Sequence, residues 1–216
     1  MQVSLAARIQ HHPSRAHLIG PLLEALVPLP TEVVEHVSDP PSPWAGYKKC
    51  LQNLETENAS HILVLQDDAV PCRNFVPALD QIAAANDVPV CLFLARLPRR
   101  TSSDATKALK ANRRYVPLFI RDFVPVVAVL WPRAKAQEFM TWAQNAKLPG
   151  QPNPRSDDAV VGRWMMTTRQ EIRATCPSLV EHPDMEGSLI GRRSAWGKDS
   201  GRVALHLAED ALAYEW

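Results

Sequence analysis

Glycine and cysteine are both scarce in this 216-residue chain, which has eight glycines and four cysteines. Few glycines together with 19 prolines predict stiff, defined loops. The cysteines are scattered with no C-x-x-C spacing, at Cys50, Cys72, Cys91 and Cys176. This pattern argues against a zinc cluster or a disulfide framework and favours a reducing compartment.

Long apolar runs and a strong net charge are also missing. No stretch approaches the roughly eighteen apolar residues of a membrane span, and the first ten residues lack the features of a signal peptide. We therefore expect a cytoplasmic protein, in the host cytoplasm if the chain is virus-encoded. The net charge of +1 excludes a uniformly basic nucleic-acid binder.

That near-neutral total hides one strongly basic segment. Residues 96–114 contain seven Lys and Arg against one Asp, a net charge of +6, so the rest of the chain carries −5. Such a segment can be an ordinary solvated loop. It can also bind an anionic partner, which would be a nucleic acid, a phosphorylated glycan or a lipid surface.

Strand and helix patterns alternate through the first 95 residues. We expect strands at 3–9, 31–37, 61–65 and 89–94, separated by helices at 14–26, 44–57 and 74–86. This order predicts an α/β fold with a mixed, mostly parallel sheet and helices on both faces. We expect one domain over residues 1–216.

The pattern is less regular after residue 95. The apolar runs Tyr115–Ile120 and Val124–Leu130 predict a strand pair, and Pro132 predicts a helix start. A further helix is expected to begin at Ser156. The last expected elements are a short strand at 178–182 and a helix at 203–212.

Two acids, Asp67 and Asp68, directly follow the most apolar strand. In an open α/β sheet, ligands bind at the carboxyl ends of such strands. Mg²⁺ and Mn²⁺ take one or two carboxylates together with substrate phosphates, so the pair suits a divalent cation. The alternative is a solvated turn.

A second acid pair and one histidine complete the set of candidates. Asp157 and Asp158 follow Ser156 at a helix start, where acids can also serve only as N-terminal caps. His182 follows a short apolar stretch, and its imidazole suits Mn²⁺. Taken by itself, His182 is better explained as an ordinary structural histidine than as a metal ligand.

The order of these motifs resembles the GT-A-fold, nucleotide-sugar-dependent glycosyltransferases. The segment Leu63 to Pro71 (LVLQDDAVP) is similar to the apolar strand and acidic DxD motif of that group. The segment 156–158 (SDD) is similar to its later xED motif. The segments 178–183 (SLVEHP) and 187–191 (GSLIG) are similar to its C-terminal histidine segment.

This resemblance implies an inverting, metal-assisted transfer of a sugar from a nucleoside-diphosphate sugar to an acceptor hydroxyl. Asp68 and His182 would hold Mn²⁺ or Mg²⁺, Asp158 would be the catalytic base, and Asp157 would orient the acceptor or the base. Residues 1–95 would form the nucleotide-sugar-binding half and residues 96–216 the acceptor side. The donor-binding residues implied by the resemblance are Ala7 and Arg8 at the end of the first strand, Asp39 at the end of the second, Lys48 and Lys49 at a helix start near the diphosphate, and Gln66 and Asp67.

Gln66 departs from the pattern of the family, which usually has Asp or Glu there. A neutral amide can hydrogen-bond a ribose hydroxyl, and the acidic metal contacts are then left to Asp68 and Asp67. A second hypothesis is therefore a non-catalytic nucleotide-sugar or nucleic-acid binding module on the same fold. A third hypothesis is a metal-dependent phosphotransferase or nuclease. The sequence has no Gly-rich phosphate-binding loop, which argues against this third hypothesis.

The basic segment at residues 96–114 suggests which kind of acceptor the protein would bind. If it flanks the acceptor side, an anionic acceptor is expected, such as a hydroxylated base in DNA or a glycan. Phosphate neutralisation would make such binding steeply dependent on salt.

Overall fold

A computed structural model describes residues 3–54, 58–95, 99–119, 121–122, 124–148, 156–183 and 203–216. The strands are β1 (Leu5–His11), β2 (Thr31–Glu35), β3 (His61–Gln66), β4 (Val70–Pro71), β5 (Val90–Cys91), β6 (Tyr115–Pro117), β7 (Ala128–Pro132), β8 (Arg173–Thr175) and β9 (Val180–Glu181). The helices are α1 (Ile19–Leu26), α2 (Pro43–Cys50), α3 (Phe75–Ala85), α4 (Arg99–Lys110), α5 (Arg133–Asn145) and α6 (Asp157–Thr168). Short 3-10 helices cover Pro13–Leu18 and Ala211–Ala213.

Seven strands form one sheet in the order β2-β1-β3-β7-β5-β8-β6, and β4 pairs with β9 in a separate ladder. Strands β1, β2, β3, β5 and β8 share one direction, while β7 and β6 run the opposite way. The expected mixed, mostly parallel sheet is therefore confirmed. The five codirectional strands present their carboxyl ends at one edge, called the carboxyl edge below.

Helices cover both faces of the sheet because β3 is apolar on both sides. Ile62 and Val64 pack into a core that includes residues of α2, α4, α5 and α6. Leu63 and Leu65 pack into a second core with α1, α3 and the C-terminal residues 203–216. A strand without a polar face belongs in the interior of such a sheet, which is where β3 lies.

The expected pairing of the strands after residue 114 is wrong. β7 pairs antiparallel with β3 on one side and β5 on the other, whereas β6 pairs with β8 at the sheet edge. β7 is the sequence AVLWP, buried in its first four residues, so it fits an interior position better than a hairpin arm. The hydrophobic pattern of the sequence predicted two strands here, but it does not determine which other strands they pair with.

Other boundaries also differ from expectation. Residues 99–110 of the basic segment form a helix, and residues 203–210 run as an extended tail rather than a helix. The tail makes bridges at Arg73, Ala95 and Ser178. β8 was not expected, because a three-residue strand is too short to show an alternating pattern.

The two expected halves of the chain are interleaved in the sheet. β7 comes from the second half, yet it lies between β3 and β5 of the first half. The carboxyl edge is consequently built from both halves of the sequence.

Candidate functional site

The first acid pair lies at the carboxyl edge, directly after β3, and is held by the segment that follows β1. Asp67 accepts hydrogen bonds from the backbone N–H of His12 at 2.9 Å and from Arg15 Nη1 at 2.9 Å, and its Oδ2 lies 3.1 Å from His11 Nδ1. Arg15 Nη1 also donates to Asp68 Oδ2 at 2.7 Å. One guanidinium thus bridges both carboxylates.

His182 reaches the same cluster through the small β4–β9 ladder. Val70 pairs with Glu181 in antiparallel register, so the residues just before β4 and just after β9 are neighbours. His182 Nε2 lies 3.3 Å from Asp68 Oδ2, and both side chains are at least 91% buried. Residues 114 positions apart in the sequence therefore meet, as the motif order predicted.

The second acid pair is joined to the first through Gln66. Ser156 caps α6 by accepting a hydrogen bond from Ala159 N–H, which places Asp157 and Asp158 in its first turn. Gln66 Nε2 donates to Asp157 Oδ2 at 3.3 Å across 91 residues of sequence. Asp157 is buried, whereas Asp158 is half-buried and accepts from Ala159 N–H at 2.6 Å. The second acid pair therefore lies in the first turn of a capped helix and is also connected to the first acid pair.

The pKa values of Asp68 and Asp157 are shifted in opposite directions. Burial acts to raise the pKa of Asp68, but the hydrogen bond and charge of His182 and the charge of Arg15 outweigh it and lower that pKa. Burial and the neighbouring Asp158 raise the pKa of Asp157 to about 7, against the hydrogen bonds it accepts from Asp158 N–H and Gln66. At neutral pH the cluster thus combines an ionised carboxylate with one that is partly protonated.

Several buried polar atoms at this edge have no hydrogen-bond partner among the described residues. They are Asp68 Oδ1, His182 Nδ1, Gln10 Oε1 and both ring nitrogens of His36. Gln10 is next to Gln66 in the β1–β3 register, and His36 follows β2 and donates its backbone N–H to His11. Buried polar groups are normally paired, so a row of unpaired ones indicates a polar ligand or ordered water.

Ala7 and Arg8 are not at the end of the first strand, and that expectation is wrong. β1 continues to His11, which leaves Ala7 fully in the core. Arg8 donates to the backbone carbonyls of Cys50 and Gln52 and thereby fixes the end of α2. The strand end that faces the acid pair is formed by Gln10 and His11.

Lys48 and Lys49 were expected at a helix start, and that is also wrong. Ser42 caps α2, so the two lysines lie in its last turn. Lys49 Nζ reaches the backbone carbonyl of Glu35, the last residue of β2, at 3.4 Å. Asp39 is exposed in the connection between β2 and α2.

The side chains present fit a divalent cation at Asp68 and His182. Asp68 Oδ1 is a buried anionic oxygen with no described partner, and the nearby imidazole supplies a second donor. Within the described residues no group of three or more His, Cys, Asp or Glu side chains is arranged to hold a metal ion. Mg²⁺ and Mn²⁺ commonly rely on one or two protein donors plus substrate phosphates, and two donors are what this site offers.

The basic segment forms an exposed face on α4 and the turn after it. Arg100, Lys107, Lys110 and Arg113 are exposed, with Asp104 as the one acid among the described side chains of the segment. Arg114 C=O accepts from Cys176 N–H directly after β8, so the end of this segment is at the carboxyl edge. β6 is four strand spacings from β3, about 19 Å at about 4.8 Å per strand.

The main residues missed from the sequence are Arg15, His11 and Gln10. Their contacts depend on β1 lying beside β3, and no local motif shows which strands are neighbours. The run His11-His12-Pro13 at a strand end was the available signal. The 187–191 motif and the basic residues Arg192, Arg193, Lys198 and Arg202 are outside the described residues.

Comparisons with known proteins add little to this geometry. No protein-family model matches the chain, and no curated protein matches it in sequence. Among solved structures, that of A197 from STIV is similar, with a TM-score of 0.46 and 14% identity over 83% of this chain and 84% of that chain. A likeness of this size gives no information on function. No helix in the described ranges has the length and apolar character needed to cross a membrane.

Proposed function

We propose that this protein is a glycosyltransferase that moves a sugar from a nucleoside-diphosphate sugar to an acceptor hydroxyl. The observation that supports it best is the meeting of three distant segments at one sheet edge. Asp68 contacts His182 at 3.3 Å, and Gln66, two residues before Asp68, contacts Asp157 at 3.3 Å. These are the segments whose order resembles the GT-A-fold enzymes.

The unpaired polar atoms along the carboxyl edge support a nucleotide donor. Gln10 Oε1 and the ring nitrogens of His36 would serve the nucleoside, because they follow β1 and β2 beside the acid pair. Asp68 and His182 lie at the other end of this row and would serve the diphosphate. Gln10 is itself held by a hydrogen bond to the carbonyl of Pro43 at 2.8 Å, so its amide is oriented before a donor arrives.

The leaving diphosphate carries developing negative charge, which needs a positive counterpart. Asp68 and His182 would hold a divalent cation, which supplies Lewis-acid stabilisation of that charge when bound. Arg15, fixed on Asp67 and Asp68, adds a permanent positive charge at the same place.

The acceptor hydroxyl must lose its proton as it attacks the anomeric carbon. Asp158 would be the base, because it is half-buried and accessible, whereas Asp157 is buried behind Gln66. Asp157 would orient the start of α6, since its Oδ1 accepts the backbone N–H of Asp158 at 2.9 Å.

A donor screen tests this proposal. The purified protein is incubated with nucleoside-diphosphate sugars and Mn²⁺, and release of the nucleoside diphosphate is followed beside thermal shift. Asp158→Asn should keep the thermal shift of the effective donor and slow release by about 100-fold or more. Asp80→Asn, which changes an exposed acid on α3, should match the wild type.

The outcomes separate the hypotheses. A thermal shift without turnover would favour the non-catalytic binding module. If no nucleotide or nucleotide-sugar gives a thermal shift, both the glycosyltransferase and the binding-module hypotheses are wrong. Full activity of Asp158→Asn would show that the base is a different group.

For the acceptor, we propose an anionic polymer, with DNA as the first candidate, bound along α4. The exposed positions Arg100, Lys107 and Lys110 follow helical spacing, so their charges share one face. The described exposed positions of α4 include no large apolar side chain, which is unlike a membrane-inserting helix.

Salt dependence tests the acceptor proposal. Binding to double-stranded DNA should weaken linearly in log–log form with rising salt. Lys107→Glu combined with Lys110→Glu should weaken binding and reduce the slope by about 2. Lys147→Glu, an exposed change in the loop after α5, is the control. If the affinity for DNA does not depend on salt, or if Lys147→Glu weakens binding as much as the double variant does, DNA is not the acceptor.

A further inference from the structure

Arg15 is the one cation within hydrogen-bond reach of both acids of the first pair in the described part of the chain. Its Nη1 lies 2.9 Å from Asp67 Oδ1 and 2.7 Å from Asp68 Oδ2. The two carboxylates are about 95% buried, with exposed side-chain fractions of 5% and 6%, while Arg15 keeps 19% of its side chain exposed. The bridging group is therefore closer to solvent than the acids it neutralises.

The charges in this cluster do not cancel. Two carboxylates and one guanidinium leave a net charge of −1, the two imidazoles of His11 and His182 not being counted. Asp68 Oδ1 is buried and unpaired among the described residues, so the residual negative charge is placed on a specific atom. A buried anionic oxygen without a partner is costly, and a cation relieves that cost.

A diphosphate cannot approach a net-negative cluster favourably without further positive charge. If a divalent cation binds Asp68, the total at the cluster becomes positive, and Arg15 no longer has to neutralise both acids. Arg15 is on the segment after β1, on the same edge as the unpaired atoms of Gln10 and His36. A guanidinium there is well suited to phosphate oxygens.

We propose that Arg15 is an exchangeable counter-ion: it neutralises the Asp67–Asp68 pair in the ligand-free protein, and it turns to the donor's diphosphate when a divalent cation binds Asp68. The assignment of the diphosphate to a sugar donor rests on the function proposed above. The exchange between Arg15 and a cation rests on the described contacts alone.

This exchange predicts that Arg15 and the cation compete. Arg15→Met removes the charge and keeps most of the apolar stem, and Arg15→Lys keeps the charge as a compact ammonium in place of the planar guanidinium. In isothermal titration with Mn²⁺ alone, Arg15→Met should bind the ion about tenfold more tightly than the wild type, with Arg15→Lys in between. Asp68→Asn should lose most of the Mn²⁺ binding, which places the ion.

The second half of the exchange is tested with inorganic pyrophosphate in saturating Mn²⁺. Arg15→Met should bind pyrophosphate about tenfold more weakly than the wild type, because the guanidinium contact is gone. In EDTA the melting temperature of Arg15→Met should fall below that of the wild type, and Mn²⁺ should restore it. If Arg15→Met is too unstable in EDTA, Arg15→Lys gives the same directions with smaller changes.

Three results would overturn the proposal: Mn²⁺ affinity unchanged or weakened in Arg15→Met, pyrophosphate affinity unchanged, or no Mn²⁺ binding to any variant. No sugar is used, so these results are independent of the donor screen. If the donor screen fails but the affinities for Mn²⁺ and pyrophosphate change as predicted, the glycosyltransferase proposal is wrong and the exchange of Arg15 still stands. If the donor screen succeeds but Arg15→Met has unchanged affinities, only the exchange is wrong.

Discussion

At the scale of single residues, Asp157 and Asp158 are neighbours in the chain but differ in burial. Asp157 turns inward at the start of α6 and is buried against Gln66, while its neighbour Asp158 stays half-buried. The resulting pKa of about 7 for Asp157 couples the stability of the protein to pH. An unfolded Asp titrates near 3.9, so between about pH 4 and pH 7 the folded state binds more protons.

The contribution of Asp157 to stability should therefore fall as pH rises from about 4 to 7, since its buried carboxyl must ionise. Asp157→Asn removes this proton and should raise the melting temperature by several degrees at pH 8 but hardly at pH 4. The measurement is thermal unfolding at pH 4, 6 and 8, with Asp80→Asn as the exposed control. A variant that is less stable at pH 8 than the wild type would show that Asp157 is ionised and well paired.

Residue types and motif order were enough to predict Asp67, Asp68, Asp157, Asp158 and His182 as a group. The contacts of Asp68 with His182 and of Gln66 with Asp157 agree with that grouping. The partners Arg15 and His11 were not predicted, because they depend on which strands adjoin. Ala7 and Arg8 were misplaced because the strand continues through the polar residues Gln10 and His11, which sequence patterns read as its end.

At the scale of elements, the C-terminal tail holds the segment that presents His182. Glu181 Oε1 accepts the backbone N–H groups of His182 and Ala204, both at 2.8 Å. Ser178 N–H donates to the carbonyl of His206, and the tail continues to Arg73 beside α3. The position of His182 thus depends on residues that follow it by more than twenty positions.

Glu181→Ala should loosen this junction, whereas Glu181→Gln keeps a carbonyl acceptor and should be close to the wild type. Each lost hydrogen bond to a charged acceptor is worth about 1.5–3 kcal/mol. Native-state hydrogen exchange should accordingly show about tenfold or faster exchange of the Ala204 and His182 amides in Glu181→Ala. Unchanged protection in that variant would mean that the bridges elsewhere in the tail hold the segment without Glu181.

Long, periodic elements and several short strands were predictable from the sequence. α5 and α6 begin where Pro132 and Ser156 indicate, β3 matches its apolar run to within one residue, and β9 lies within the strand expected at 178–182. β8 and the extended tail are set by tertiary pairing, so their local sequence contains little signal.

At the scale of the whole molecule, acidic and basic regions are separate. The acid cluster lies at the end of β3, whereas the basic segment of α4 leads into β6, four strands away, and its last residue, Arg114, lies at the same edge. The near-neutral total of +1 is the sum of +6 in residues 96–114 and −5 in the rest of the chain. A donor at the β2–β1–β3 end and an anionic acceptor approaching from the β6 end would meet near the start of α6.

The most direct test of the central claim is a crystal structure of Asp158→Asn with Mn²⁺ and the donor that gives the largest thermal shift. The account predicts the diphosphate beside Asp68, His182 and Arg15, the nucleoside beside Gln10 and His36, and the sugar facing the start of α6. A nucleotide bound elsewhere on the molecule, or an undisturbed Arg15 bridge with no nucleotide at saturating concentration, would contradict it.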